Sequence, residues 1–463
     1  MLSESLTHPE VLAFDGEPPP KPSISPLRQT LRFFSDPFAL VQEAQDECGD
    51  VFMLHILGLG RWVMVASAEL LQQLYRIPED QLEAGSIRGK MLGRLVGEKA
   101  SICIDGREYA HRRKLTAPLF NGARLYRHTG TLGRLTEQCL ATWPRDQAFS
   151  AQRYLDRIAI AIACRVLYGA GERPTLRRLI DLSEGYLMAM KSPGVQVQPL
   201  RLDLGAWSPW GRFLALQREY FQALEDEIDA RRRGEGGDDE DLVSVLIEAY
   251  DPTDPAGREI IVHELASFLL GGAESTSKPI AWALYGLLQR PDALARLRSE
   301  LDGVLTDRPV DAADLRRLPY LHAVVQEGIR YGRSAVFAGP RWTRTPVRLG
   351  RYLLPEGVIV GQCYGRTTRG SVFHQLDTFA PENFLDHRVK MSDWLPFGGG
   401  SRICTGMGLA QLEMAIVIAG VVRRFELSLE SSSTRPRPDG IFFTPPGGLR
   451  LRIHDRPTTD PRE

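Results

Sequence analysis

Around Cys404 the chain reads Phe397-Gly398-Gly399-Gly400-Ser401-Arg402-Ile403-Cys404-Thr405-Gly406, continuing Met407-Gly408-Leu409-Ala410-Gln411-Leu412-Glu413, and few folds can use such a string. A glycine-rich turn lets backbone pass close to a flat partner that side chains would hold off. It then hands one cysteine to the start of a helix. There the dipole and the free N–H groups favour a thiolate. A sulfur so placed stays deprotonated and can serve as a metal ligand. The other cysteines, at positions 48, 103, 139, 164 and 363, have neither zinc-knuckle nor CxxC spacing. A chain of 463 residues needs no disulfides, so reduced thiols in a cytoplasm are expected.

The remaining pattern is that of one mainly helical unit. A proline-rich lead-in, Pro18 to Pro26, precedes a helix-like stretch from Thr30 to Cys48. Asp50 to Ser67, broken by Gly58 and Gly60, suits a β-hairpin. From Pro118 to Arg233 the pattern is mostly helical, and Gly234 to Asp241 reads as a solvated loop with no further role. A long apolar-periodic segment runs from Glu259 to Gln289, Pro291 opens another helix, and Leu318 to Arg330 forms a third. Strand-like pieces follow at Arg341–Thr345, Val347–Tyr352 and Val358–Cys363. The chain is then loop to Phe397, helix from Met407 to Phe425, and a β-like tail. A formal net charge of -1 gives no reason to expect nucleic acid or an anionic membrane as partner. The N-terminus has no apolar core segment, and the apolar run Met414 to Val422 is too short to span and is flanked by Glu413 and Arg423. Neither a signal peptide nor a membrane anchor is expected.

Three further motifs carry chemistry. Gly271-Gly272-Ala273-Glu274-Ser275-Thr276 lies inside the long helical segment. Two glycines there cost about 1 kcal/mol each relative to alanine. A helix carries that penalty where something approaches its backbone or where it opens. Glu274 offers a proton donor and the next residues a hydroxyl. Glu327-Gly328-Ile329-Arg330 puts an acid and a base three apart, on one helix face. Asp105-Gly106 is followed by Tyr109, Arg113, Pro118 and Phe120.

Together these strings resemble the cytochrome P-450 superfamily. The Cys404 string matches FxxGxRxCxG and its extension LAxxE. Glu327 to Arg330 matches ExxR, and Gly271 to Thr276 resembles the central-helix motif. Tyr109 stands where Trp or His is usual. The resemblance covers residues 30–455, read as a single catalytic unit after an N-terminal extension (1–29) and before a tail (456–463). It implies a mainly α fold with small β-sheets, and haem b held between the central helix and the Cys404 helix.

Cys404 would then be the axial ligand to iron, whose thiolate favours O–O cleavage. Arg113, Arg341 and Arg402 would meet the propionates, and Phe397, Gly406 and Tyr109 would complete the haem site. Glu274 with Ser275 or Thr276 would serve oxygen activation, and which hydroxyl faces the iron is open. The implied reaction is O2-dependent hydroxylation or epoxidation of a lipophilic molecule such as a steroid, terpenoid or fatty acid. Electrons would come from NAD(P)H through a ferredoxin or flavodoxin-type donor with its reductase, docking near Arg112 and Lys114. The alternatives are a peroxide-driven peroxygenase on the same fold and a non-catalytic haem sensor. Substrate contacts are expected in Leu82–Ile102, Leu187–Trp210, Ala266–Leu270, Ser334–Pro340 and Ile441–Thr444. One departure from the family is Asn383, which replaces the arginine that usually joins the ExxR pair. The other is Ser275, which replaces the usual threonine.

Overall fold

The computed structural model describes residues 17–169, 174–235, 241–305, 308, 310–332, 337–363, 373, 377–385, 389–430, 435–439 and 442–456. Most of the N-terminal extension and the tail, the centre of the loop at 236–240, and the expected substrate contacts at 334–336 and 441 lie outside these.

Asp254 caps the central helix, Pro255–Gln289, by accepting from the amides of Ala256 and Gly257. Pro255 fills the first turn, where its missing N–H costs nothing. The helix runs through the main apolar core and packs against the inner helix, Ala151–Tyr168, and the ExxR helix, Pro319–Gly332. Gly328 is required at the second crossing, since a Cβ there would lie 2.7 Å from Ala283 Cβ. The ligand helix, Met407–Arg424, also packs on the central helix. The run Met414–Val422 is buried within it, as expected. Among the described residues no helix is long and apolar enough to cross a membrane.

A five-stranded sheet flanks the helices, in the order Val51–Ile56, Gly60–Val65, Ile359–Cys363, Phe337–Thr343, Leu82–Glu83. The chain closes on a small hairpin, Arg437–Asp439 paired with Phe442–Thr444, and a three-stranded sheet.

Three sequence expectations need correction. Thr30–Cys48 is not one helix. Helices Pro26–Ser35 and Pro37–Cys48 meet at Asp36, which the following proline keeps out of the helical region, at φ -150° and ψ 71°, and Asp36 caps the second helix. Val347–Tyr352 is likewise two short strands, because Gly350 turns with φ +56°. Asp241, read as the end of a solvated loop, is buried, pairs with Arg231 at 2.8 Å and caps the following helix.

Candidate active site

The amide of Cys404 donates to the carbonyl of Phe397 at 2.9 Å, so the loop closes on itself before the ligand helix begins. Its glycines also serve contacts within the chain. Gly398 and Gly400 adopt φ +71° and +66°. A Cβ at Gly399 would lie 2.5 Å from the Tyr75 ring, so Gly399 makes room for Tyr75. The expectation of a backbone donor at the sulfur does hold: the Gly406 amide hydrogen-bonds the Cys404 thiol.

Cys404 is the only exposed cysteine of the six. Yet protein atoms surround it densely enough that burial pushes its thiol pKa up, while Gly406, Arg113 and Arg88 pull it down. The two observations agree if the exposed surface faces an interior hollow. The other five thiols are buried or half-buried.

The three arginines expected at the propionates, with Tyr109 beside them, divide into two kinds. Arg402 has internal partners: Glu79 at 2.9 Å, Asp105 at 2.6 Å, the Ile104 carbonyl at 2.7 Å, and the Tyr109 ring at 3.3 Å. Tyr109 donates to the Ser401 carbonyl and accepts from Arg113, both at 3.0 Å, and Arg113 also donates to Thr405. These groups brace the cysteine loop. Arg341 is buried, lies over the Tyr75 ring, and among the described residues donates to the Gly339 carbonyl at 3.2 Å.

Sequence reading missed Arg88. Its guanidinium lies near those of Arg341 and Arg402, and all three repel one another. Burial first, and these neighbours second, lower its pKa to about 10. Atoms of Arg88, Arg341 and Tyr75 come within 4 Å of where a Gly339 Cβ would stand. Among the described residues neither Arg88 nor Arg341 pairs with a carboxylate. Adjacent cations, one buried and one half-buried, that pair with no carboxylate are costly, so the arrangement suits an anionic ligand. No motif marks Arg88; only its place in the Leu82–Ile102 segment drew notice. One sulfur and two cations that pair with no carboxylate among the described residues form a donor set that fits an iron cofactor carrying two carboxylates, as haem does.

The central helix settles which hydroxyl faces the open side. Between Ile261 and Leu288 only Gly271 and Ser275 are exposed, one turn apart on one face. A Cβ at Gly271 would meet nothing within 4 Å. Ser275 Oγ donates to the Gly271 carbonyl at 2.6 Å. Thr276 is buried, donates to the Gly272 carbonyl at 2.6 Å, and its hydroxyl meets the buried Glu413 carboxyl.

Glu274 is buried beside the inner helix. Ile160, Leu187 and Met188 line the small cavity next to it. Its Oε1 has no hydrogen-bond partner. Burial raises its pKa to about 7, although Lys278 and Lys191 oppose the shift. A carboxyl shifted upward favours the fold at low pH, an advantage lost as pH rises from about 4.3 to the folded-state value. Glu274→Gln has no proton to lose. Between pH 5 and pH 8 its stability should rise relative to the parent by roughly 2–3 kcal/mol. A pH-independent difference in unfolding midpoint would show that Glu274 ionises normally.

The ExxR pair is fully internal. Arg330 holds both oxygens of Glu327, at 2.7 and 2.6 Å, and donates to the Thr378 carbonyl. The Ala380 amide donates to Glu327 at 2.6 Å. Asn383 lies close enough to favour the ionised carboxylate, but its Nδ2 finds no acceptor.

Arg112 does not form a docking patch. It is 4% exposed, bound to Glu108, Glu264 and the Lys99 carbonyl, and only Lys114 of the two is exposed.

The family model for cytochrome P-450 matches residues 16–452. A Mycobacterium tuberculosis protein carrying the name cytochrome P-450 138 is 30% identical over 421 residues, 88% of this chain and 90% of that one. Another, cytochrome P-450 135B1, is 27% identical over 94% of this chain and 91% of its own length. Retinoic acid-bound cyanobacterial CYP120A1 superposes with a TM-score of 0.81 at 21% identity, covering 96% of this chain and all of that one.

Proposed function

Because this chain belongs to the cytochrome P-450 family of haem-thiolate monooxygenases, we propose that it hydroxylates or epoxidises a lipophilic small molecule, with Cys404 as the axial ligand to iron. Bound haem supplies the reductive activation of O2 and the transfer of one oxygen atom. Residues 30–455 form the catalytic unit, which works in the cytoplasm. Electrons come from NAD(P)H through a separate ferredoxin or flavodoxin-type protein.

The observation that carries this reading is the exposed Gly271–Ser275 face with an acid of raised pKa at the adjoining position. A ligand at that face meets a hydroxyl. A proton source stands one residue away, shielded from bulk water. Cys404 contributes the sulfur, oriented by the Gly406 amide. Arg88 and Arg341 hold the cofactor carboxylates, while Arg402, Tyr109 and Arg113 keep the loop in place. Partly buried Phe268 and Leu270, on the same helix, favour apolar over polar substrates.

With haem bound, Glu274 would hold and pass on a proton, and Ser275 would offer its hydroxyl at the face beside Gly271. Glu274→Gln should slow product formation by roughly 10²-fold, the low end of general-acid assistance. Ser275→Ala should consume NADPH but release most of the electrons as hydrogen peroxide. Thr276→Ala should affect coupling less, since its hydroxyl is buried against Glu413. The measurement is product formed per NADPH, with a surrogate ferredoxin system. Parental coupling and rate in all three variants would overturn the assignment in favour of a peroxide-driven enzyme.

A further inference from the structure

A lysine with no exposed surface stands one turn beyond Glu274. Lys278 Nζ lies 2.9 Å from Asp156 of the inner helix and 2.8 Å from Asp439 of the C-terminal hairpin. A second lysine, Lys191, follows the helix Pro174–Met190. It lies 2.7 Å from Asp156, 2.8 Å from the same Asp439 oxygen, and 3.9 Å from Glu274. The chain has only seven lysines, so two of them meet in this one internal cluster.

With every member ionised the cluster holds three carboxylates (Asp156, Glu274, Asp439) and two ammonium groups, a net charge of -1. Asp156 is held below the ordinary range because Lys278 and Lys191 outweigh its burial, and Lys191 is held above its own by Asp156 and Glu274. Those groups stay charged. One proton on Glu274 makes the cluster neutral.

The geometry explains why the proton goes there. Both ammonium groups make their short contacts to the two aspartates, and Glu274 receives only the 3.9 Å approach of Lys191. The charged groups facing Glu274 are Lys278 on its own helix, Asp156, Lys191 and Asp439.

We infer that Asp439 is a positioning residue that keeps Glu274 able to hold a proton near neutral pH, by engaging the two lysines that would otherwise pair with it. Asp439 is the least enclosed member, 23% exposed on a two-stranded hairpin. It can therefore be changed without opening the core. Part of the inference, the effect on turnover, rests on reading Glu274 as the proton relay.

The test is a pH titration of the Glu274 carboxylic acid C=O stretch, by infrared difference spectroscopy on the full-length holoprotein, with Glu274→Gln identifying the band. Asp439→Asn should lower the midpoint by at least about one pH unit, a tenfold loss of proton affinity. Asp439→Glu should restore the parental midpoint. Lys191→Gln, which removes an opposing charge, should move it upward. The pH profile of product formation should follow the same shifts. A Glu274 band whose midpoint ignores both Asp439→Asn and Lys191→Gln overturns the inference, whatever the turnover. If the midpoint shifts as expected but product formation ignores pH and Glu274→Gln, the electrostatic device stands and the relay reading fails.

Discussion

Cys404→His should abolish the red-shifted Soret band of the reduced carbon monoxide complex completely. That band requires a thiolate opposite the gas ligand, and imidazole is a neutral nitrogen donor without the same electron push. The local structure leaves no substitute sulfur. The other cysteines are buried or half-buried, and burial holds the thiols of Cys48, Cys103, Cys139 and Cys164 above their ordinary value. Replacing those four together with Cys363 by alanine or serine should therefore leave the band in place. Burial raises the Cys404 thiol as well, but Cys404 is the exposed cysteine, with the Gly406 amide beside it and Arg113 and Arg88 nearby to oppose that shift. Persistence of the band in Cys404→His would show that the ligand is another group.

Loss of either member of the ExxR pair should prevent recovery of folded holoprotein. Glu327 has no exposed surface and Arg330 is 6% exposed. Removing one partner of such a pair typically costs about 3–5 kcal/mol, against a total stability of roughly 5–15 kcal/mol for a folded protein. Glu327→Ala strands the Ala380 amide and takes from Arg330 the carboxylate that it holds on both oxygens, while its contacts to the Thr378 carbonyl and to the Phe373 ring, 5.3 Å from its guanidinium, do not replace that charge. Arg330→Lys should not rescue, because a single ammonium cannot grip both carboxylate oxygens. Asn383→Ala should be mild by comparison, since Asn383 only adds to an ionised carboxylate that Arg330 already holds on both oxygens. Haem content per polypeptide and thermal midpoint measure the outcome. Parental values in Glu327→Ala would show that the pair does not support the fold.

The sequence alone was enough for the features that depend on local spacing. The glycine-flanked Cys404, the ExxR pair on one helix face and the long apolar period of the central helix each lie within a few residues. Helix geometry then fixes what they can do. The fold class and the haem-thiolate reading followed from those strings and their resemblance to a family. Tertiary structure decided whatever depends on which distant side chains meet. Arg402 and Arg112 looked like available cations, but Glu79, Asp105 and Glu264 come to them from elsewhere in the chain and take up their charge. Arg88 looked unremarkable, and only packing shows it beside Arg341, with no carboxylate paired to either among the described residues. Ser275 and Thr276 are adjacent in sequence, yet roughly 100° apart around a helix, and only the placement of Glu413 and the open face separates their roles. The ionisation of Glu274 depends on Asp156, Lys191 and Asp439, which are 118, 83 and 165 positions away. Charge interactions act through space, and sequence order does not record them.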